Sequence, residues 1–189
     1  MRTFGYPVFL DLSGVPVLVV GAGLIAARKV EGLVAAGAAV TVVASAVSAA
    51  LDRSSVVAVV ERAFQPADVE GMRLVVTATG RADVDAAVAA AATTAGIWVN
   101  AADQPTDCSF ILPAIARNGP LAVAVSTGGT SPALARRLRD HAAALLTDDV
   151  VALALDLQAR RAAVRAGGGS TEDVNWSGVI DPVLPPPAG

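Results

Sequence analysis

The apolar positions near the start of the chain fall into short β-branched runs separated by stretches of helical character. Val15 to Val20 is a compact apolar run that ends in glycines and reads as a buried strand. A helix is predicted from Leu24 to Ala36, closed by Gly37 at a C-cap position. Further strands are predicted over Ala39 to Ala44, Val56 to Val60 and Leu74 to Thr77. Asp83 to Ala95 is an Ala-rich helix stopped by Gly96, and Ile97 to Asn100 makes a fifth strand. Strand and helix alternating at this spacing predict an α/β fold: a Rossmann-type doubly wound parallel sheet with right-handed crossovers.

The pattern changes after Asn100. Ala101 to Pro105 reads as a loop, and Leu121 to Val125 as another strand. Ser131-Pro132 has the form of a helix start, with Ser as N-cap and Pro at the first position. That helix is predicted to about Leu146, and another from Asp149 to Val164. From Ala166 the chain turns to Gly, Pro and Ser and ends in Pro185-Pro186-Pro187, which predicts a flexible tail without chemistry.

The first strand runs directly into Gly21-Ala22-Gly23-Leu24-Ile25-Ala26, a G-x-G-x-x-A element that opens the first helix. Gly21 permits the tight turn, Gly23 lets backbone approach a pyrophosphate, and Ala26 is small enough for helix to pack on strand. The phosphates would rest at the helix N-terminus beside Leu24 and Ile25, where unpaired N–H groups and the helix dipole favour negative charge. The acidic residue that usually binds the adenosine ribose about 20 residues further on is missing. The second strand ends Val43-Ala44-Ser45-Ala46, and no acid follows until Asp52. Ser45 and backbone near Ala46 are the candidate ribose ligands, and the lack of an arginine there favours NAD over its 2′-phosphorylated form. Thr77 and Thr79 follow the fourth strand, where they either meet the cofactor or satisfy local backbone.

Composition refines this picture. The 189 residues are 54% hydrophobic but only 4% aromatic, which suits small side chains packed between helices and a parallel sheet. A net charge of −3 gives no reason to expect nucleic acid as a partner. Seven arginines against four aspartates between 117 and 165 nevertheless give that stretch a surplus of three positive charges. It either attracts an anionic small molecule or forms a solvated helix face. One cysteine, Cys108, cannot make an internal disulfide and fits a reducing compartment; Met1 to Tyr6 lacks the apolar run of a signal peptide. No charge occurs between Glu31 and Asp52, but Gly32, Gly37, Thr41, Ser45 and Ser48 interrupt that run. It reads as a helix end, a turn and a buried strand, not as a membrane span.

Several segments together carry a family resemblance. They are Tyr6-Pro7-Val8-Phe9-Leu10-Asp11-Leu12, Val19-Val20-Gly21-Ala22-Gly23, Ala26-Ala27-Arg28-Lys29-Val30 and Asn100-Ala101-Ala102-Asp103. Phe110-Ile111-Leu112-Pro113-Ala114 and the run from Ser126 through Thr127-Gly128-Gly129-Thr130-Ser131-Pro132 to Arg136 complete the set. In this order the sequence resembles the precorrin-2 dehydrogenase/sirohydrochlorin ferrochelatase family, which includes the N-terminal module of siroheme synthases. The resemblance implies a cytoplasmic homodimer that oxidises precorrin-2 with NAD, with ferrous ion inserted as well in some members. It divides the chain into an NAD-binding domain (1–112), a dimerisation segment (113–146), a helical region (147–166) and the tail (167–189).

The resemblance also makes Asp103 the catalytic candidate. The position agrees, since a loop after a strand's carboxyl end is where open α/β sheets place ligands. A carboxylate there can accept the proton lost on oxidation or hold pyrrole N–H groups, although Asp-Gln-Pro is also an ordinary turn sequence. Thr127, Gly128, Gly129, Thr130 and Ser131 form a candidate anion-binding turn for the substrate's carboxylates, with Arg136 supplying charge. Arg137 and Arg139 lie on the same helix but cannot all face one site. No metal-ligand constellation is present, and the one histidine, His141, sits mid-helix. A non-catalytic NAD-sensing module and a dehydrogenase that leaves iron to a separate chelatase are the rival readings.

Overall fold

The structure is a computed structural model that describes residues 4–187. Residues 1–3 of the opening segment and 188–189 of the expected tail lie outside the described residues. The chain divides after Leu112 into two compact units.

The first unit contains β1 (Pro16–Val20), α1 (Leu24–Ala35), β2 (Ala39–Val43), β3 (Ala58–Val60), β4 (Leu74–Thr77), α2 (Ala82–Thr94) and β5 (Trp98–Ala101). The strands form one sheet in the order β3-β2-β1-β4-β5, with every neighbouring pair parallel. The two-residue period of the strands explains why both faces are apolar. Val17, Val19, Val40, Val42 and Val76 point to one side, where they pack with Ala26, Ala27, Val30 and Leu33 of α1. Leu18, Val20, Val43, Val75 and Val99 point to the other, against Val88, Ala89 and Ala92 of α2. Alanines at these interfaces let both helices lie close to the sheet. The expected α/β doubly wound fold is therefore present, and its double winding rests on α1 and α2 alone.

The other two crossovers carry only 3-10 turns. At Arg53–Ser55 the Asp52 carboxylate accepts from the Ser54 amide at 2.9 Å. At Pro66–Val69 Arg62 grips Asp68 through two bonds of 2.8 and 2.5 Å, while the Gln65 amide donates to the same carboxylate at 2.8 Å. The uncharged stretch after Glu31 holds the end of α1, a turn and β2. Gly37 makes the turn at φ +82, where a Cβ would stand 3.2 Å from the Ser13 Cα. Among the described residues no helix is long and apolar enough to cross a membrane.

The second unit begins with β6 (Ala114–Asn118) and β7 (Leu121–Val125), an antiparallel hairpin. It continues with α3 (Pro132–Ala143), α4 (Asp148–Ala166) and α5 (Ser177–Ile180). Ser131 and Thr147 cap α3 and α4, accepting from Leu134 N at 3.2 Å and Val150 N at 3.3 Å. The Asn118 amide ties the hairpin to the α3–α4 link, donating to Leu146 O at 2.8 Å and the Asp148 carboxylate at 3.0 Å. β6 was not foreseen from the sequence, and the segment after Ala166 contains the short α5, with the Trp176 indole donating to Thr171 O at 3.2 Å.

Candidate functional site

The carboxyl ends of β1, β4 and β5 converge on the edge of the sheet where the chain switches direction between β1 and β4. Gly21 is fixed there from both sides. Its amide donates to Val43 O at 2.9 Å, and Ala78 N donates to Val20 O at 2.9 Å beside it. At φ +106, a Cβ on Gly21 would lie 2.5 Å from the Ala78 carbonyl oxygen, so only glycine fits.

Gly23 differs. It stands at the N-cap of α1 with φ −75 and ψ −177, an extended conformation open to any residue, and no side chain caps the helix there. A Cβ on it would meet nothing within 4 Å. Nothing inside the protein requires glycine here, and the space beside it is open. The first-turn amides of Leu24, Ile25 and Ala26 have no acceptor within the helix. The side chains of Leu24 (57% exposed) and Ile25 (54% exposed) stand open beside them. Ser48 N donates to Ala22 O at 3.0 Å, which draws the loop after β2 toward the glycines. That loop carries Ser45 and Ala46, both exposed. The open first-turn amides of α1 and the exposed Ser45 hydroxyl are donors of the kind a dinucleotide's diphosphate and ribose need.

Thr77 and Thr79 both bond the carboxylate of Asp85. The Thr77 hydroxyl is wholly buried and donates to Asp85 Oδ1. The same oxygen accepts from the Thr79 hydroxyl at 2.8 Å and the Thr79 amide at 3.1 Å. Asp85, only 4% exposed on the first turn of α2, thus organises the β4–α2 loop whose Ala78 carbonyl faces Gly21.

Asp103 lies just beyond β5, exposed, with φ +59, the only positive φ at a non-glycine among the described residues. Aspartate tolerates that conformation better than most residues. The loop is wrapped around Cys108, whose buried Sγ accepts from Ala101 N at 3.2 Å and lies 3.2 Å from Ala101 O and 3.4 Å from Gln104 O. Buried Asn100 donates to Phe110 O at 3.0 Å and accepts from Lys29 Nζ of α1 at 2.8 Å. Burial pushes the Lys29 amine below the ordinary lysine range, while Cys108 and Asp103 nearby pull it back up. Lys29 and Asp85 were not identified from sequence as site residues. One is the neighbour of exposed Arg28, and the other has the form of a surface acid on an Ala-rich helix.

In the second unit, the turn before α3 has Gly128 at φ +62 and Gly129 at φ +84. Most of its amides are already used. Gly128 N donates to Ser126 Oγ at 3.1 Å, Thr130 N to Thr127 O at 3.1 Å and Ser131 N to Thr127 Oγ1 at 3.1 Å. A ligand is left the Gly129 amide and the exposed Thr130 side chain, fewer donors than the turn sequence implied. Arg136 and Arg137 are exposed; Arg139 is held by Ile115 O at 3.3 Å and Asp140 at 2.7 Å. His141 is exposed on α3. Among the described residues no three His, Cys, Asp or Glu side chains are grouped to hold a metal ion.

Strand order and glycine loop together define a dinucleotide-binding domain of Rossmann type. The chain belongs to the putative NAD(P)-binding family, whose model matches residues 8–114, and a second model, sirohaem biosynthesis protein central, matches residues 118–144. The expected nicotinamide dinucleotide cofactor is borne out by that membership. A siroheme synthase of Methylobacillus flagellatus is 40% identical over 183 residues, covering 94% of this chain and 39% of that protein. Siroheme synthase 1 of Aeromonas salmonicida is 44% identical over 163 residues, covering 85% and 35%. The chain therefore spans less than two fifths of the length of these relatives. The solved structure of SirC, a precorrin-2 dehydrogenase, superposes with a TM-score of 0.69 at 29% identity, covering 93% of this chain and 85% of that one. The family resemblance drawn from the sequence is borne out by these matches.

Proposed function

We propose that this chain oxidises precorrin-2 to sirohydrochlorin, using NAD+ as the oxidant. The observation that carries the reading is the juxtaposition of two features at one sheet edge. The open Gly23 cradle follows β1 and a carboxylate, Asp103, held in a left-handed conformation, follows β5, both at the carboxyl end of the same parallel sheet. The match to a precorrin-2 dehydrogenase along 93% of the chain supports the choice of substrate.

In this mechanism the bound dinucleotide supplies the hydride acceptor. Gly21 and Gly23 leave room for its diphosphate, the amides of Leu24 and Ile25 neutralise that charge, and Ser45 with the backbone at Ala46 meets the adenosine ribose. Asp103 takes the proton that leaves as the macrocycle loses its hydride, so the products are sirohydrochlorin, the reduced dinucleotide and one proton. The Cys108-centred loop holds Asp103 at the sheet edge. Within the second unit by itself, Gly129, Thr130 and Arg136 offer donors and charge suited to a carboxylate.

The same reading includes a homodimer in the cytoplasm. The unit that contains the hairpin leaves Leu134, Leu138, Leu145 and Leu155 between 46% and 59% exposed. A second copy covering these leucines would supply the missing core. Insertion of ferrous ion is the accompanying reaction drawn from the family resemblance, with Asp103 receiving the pyrrole protons.

Anaerobic incubation with precorrin-2 and NAD+ tests the proposal. Absorbance of the reduced dinucleotide rising in step with sirohydrochlorin is expected. Binding of the dinucleotide without any turnover would instead identify a sensor module. Ferrous ion added to sirohydrochlorin reads the second reaction separately.

A further inference from the structure

Lys29 is half-buried, whereas Arg28 and Arg73 of the first unit are exposed. Its stem leaves α1 on the second turn, on the face that packs against the sheet, and its amine reaches the carboxyl end of β5. There it donates to Asn100 Oδ1 at 2.8 Å, its only hydrogen bond among the described residues. An ammonium group has three protons to donate, so two are left over in a half-buried position. Partial burial of a charge is costly unless it is paired and hydrogen-bonded, and among the described residues no carboxylate is within ion-pairing distance of this one. Arg53, Arg62 and Arg81, by contrast, each hold a carboxylate within 2.7 Å. Asp103 is close enough to act on the Lys29 charge without bonding to it.

We propose that Lys29 is a substrate-binding residue, whose two remaining protons hold one carboxylate of the tetrapyrrole beside Asp103. This rests on the proposed function and deepens it. The macrocycle carries its charge on peripheral carboxylates, and a desolvated ammonium at the sheet edge recognises one of them far better than an exposed arginine does. Asn100 orients the amine from below, and its own bond to Phe110 O at 3.0 Å keeps Asn100 from turning. Fixing one carboxylate there fixes which edge of the ring meets Asp103.

The test is binding of sirohydrochlorin, the product, titrated by its absorbance and fluorescence with no dinucleotide present. The variants are Lys29→Met, which keeps the apolar stem, and Lys29→Arg, which keeps the charge. Removing a charge-assisted hydrogen bond from the complex should weaken the dissociation constant about tenfold to a hundredfold in Lys29→Met. Affinity for NAD+ and the melting temperature should stay close to wild type, and Lys29→Arg should recover most of the binding. Sirohydrochlorin bound equally well by Lys29→Met overturns the assignment. So does a parallel loss of NAD+ affinity and melting temperature, which would make Lys29 a tether between α1 and β5. A wild-type protein that binds no sirohydrochlorin overturns the substrate reading beneath it, a result distinct from the other two.

Discussion

Gly21 and Gly23 are two residues apart, yet their replacement has opposite consequences. In Gly21→Ala the new methyl lies 2.5 Å from the Ala78 carbonyl oxygen at φ +106. A β-carbon in left-handed backbone costs about 1–2 kcal/mol. The Ala78 backbone cannot retreat cheaply, because its amide is bonded to Val20 O at 2.9 Å. Strain and clash together should cost about 3 kcal/mol of folding stability or more. In Gly23→Val the side chain enters open space from extended backbone, with φ −75 and ψ −177. Losing a tolerable N-cap glycine costs less than about 1 kcal/mol, and the lower entropy of the unfolded chain offsets part of it. The isopropyl group, however, takes the space through which the diphosphate reaches the α1 amides. Affinity for NAD+ should fall at least about a hundredfold, equivalent to about 2.7 kcal/mol. Urea unfolding measures the first effect and calorimetric titration with NAD+ the second. NAD+ affinity within about threefold of wild type in Gly23→Val would refute the cradle. Equal destabilisation by both variants would refute the packing argument.

Asp103→Asn keeps a residue that tolerates left-handed backbone, so it should fold and bind NAD+ normally while precorrin-2 oxidation drops about a hundredfold or more. Asp103→Ala should lose the same activity and about 1 kcal/mol of stability besides; full activity in either variant removes Asp103 from the chemistry. The guanidinium of Arg62 holds the Asp68 carboxyl below its ordinary 3.8, so the pair stabilises the fold above that pH and ceases to do so as pH falls through the depressed value. Asp68→Asn should therefore cost about 1 kcal/mol at about pH 7, reduced by solvent at the arginine end. The gap in melting temperature from wild type should close as pH falls through the depressed Asp68 value, below its ordinary 3.8, and a gap of constant size would contradict the ion-pair assignment.

The parallel sheet was legible because its central strands are buried on both faces and leave apolar, β-branched runs: Leu74–Thr77 falls where the pattern put it, as does Leu121–Val125 of the hairpin. β5 is displaced by one residue because the Ile97 amide closes the end of α2, donating to Ala92 O at 2.8 Å, so the strand starts at Trp98. β6 was missed for a different reason. Ala114-Ile-Ala-Arg-Asn has no β-branched run, and its residues become a strand through pairing with β7. At the site, the glycine loop was legible because its chemistry lies in consecutive residues. Lys29 and Asp85 were not, since each acquires its role from partners far along the chain or across a loop: Asn100 for one, Thr77 and Thr79 for the other. Sequence distinguishes Lys29 from Arg28 only by a rotation about the helix, whose meaning depends on where β5 lies.

Amide-resolved NMR during titration with NAD+ tests the central claim most directly, because it reports which backbone groups meet the diphosphate. The amides of Gly23, Leu24 and Ile25 should shift most, Ser45 should follow, and the amides of the second unit should move little. Saturable binding that leaves those three amides where they were would contradict the account.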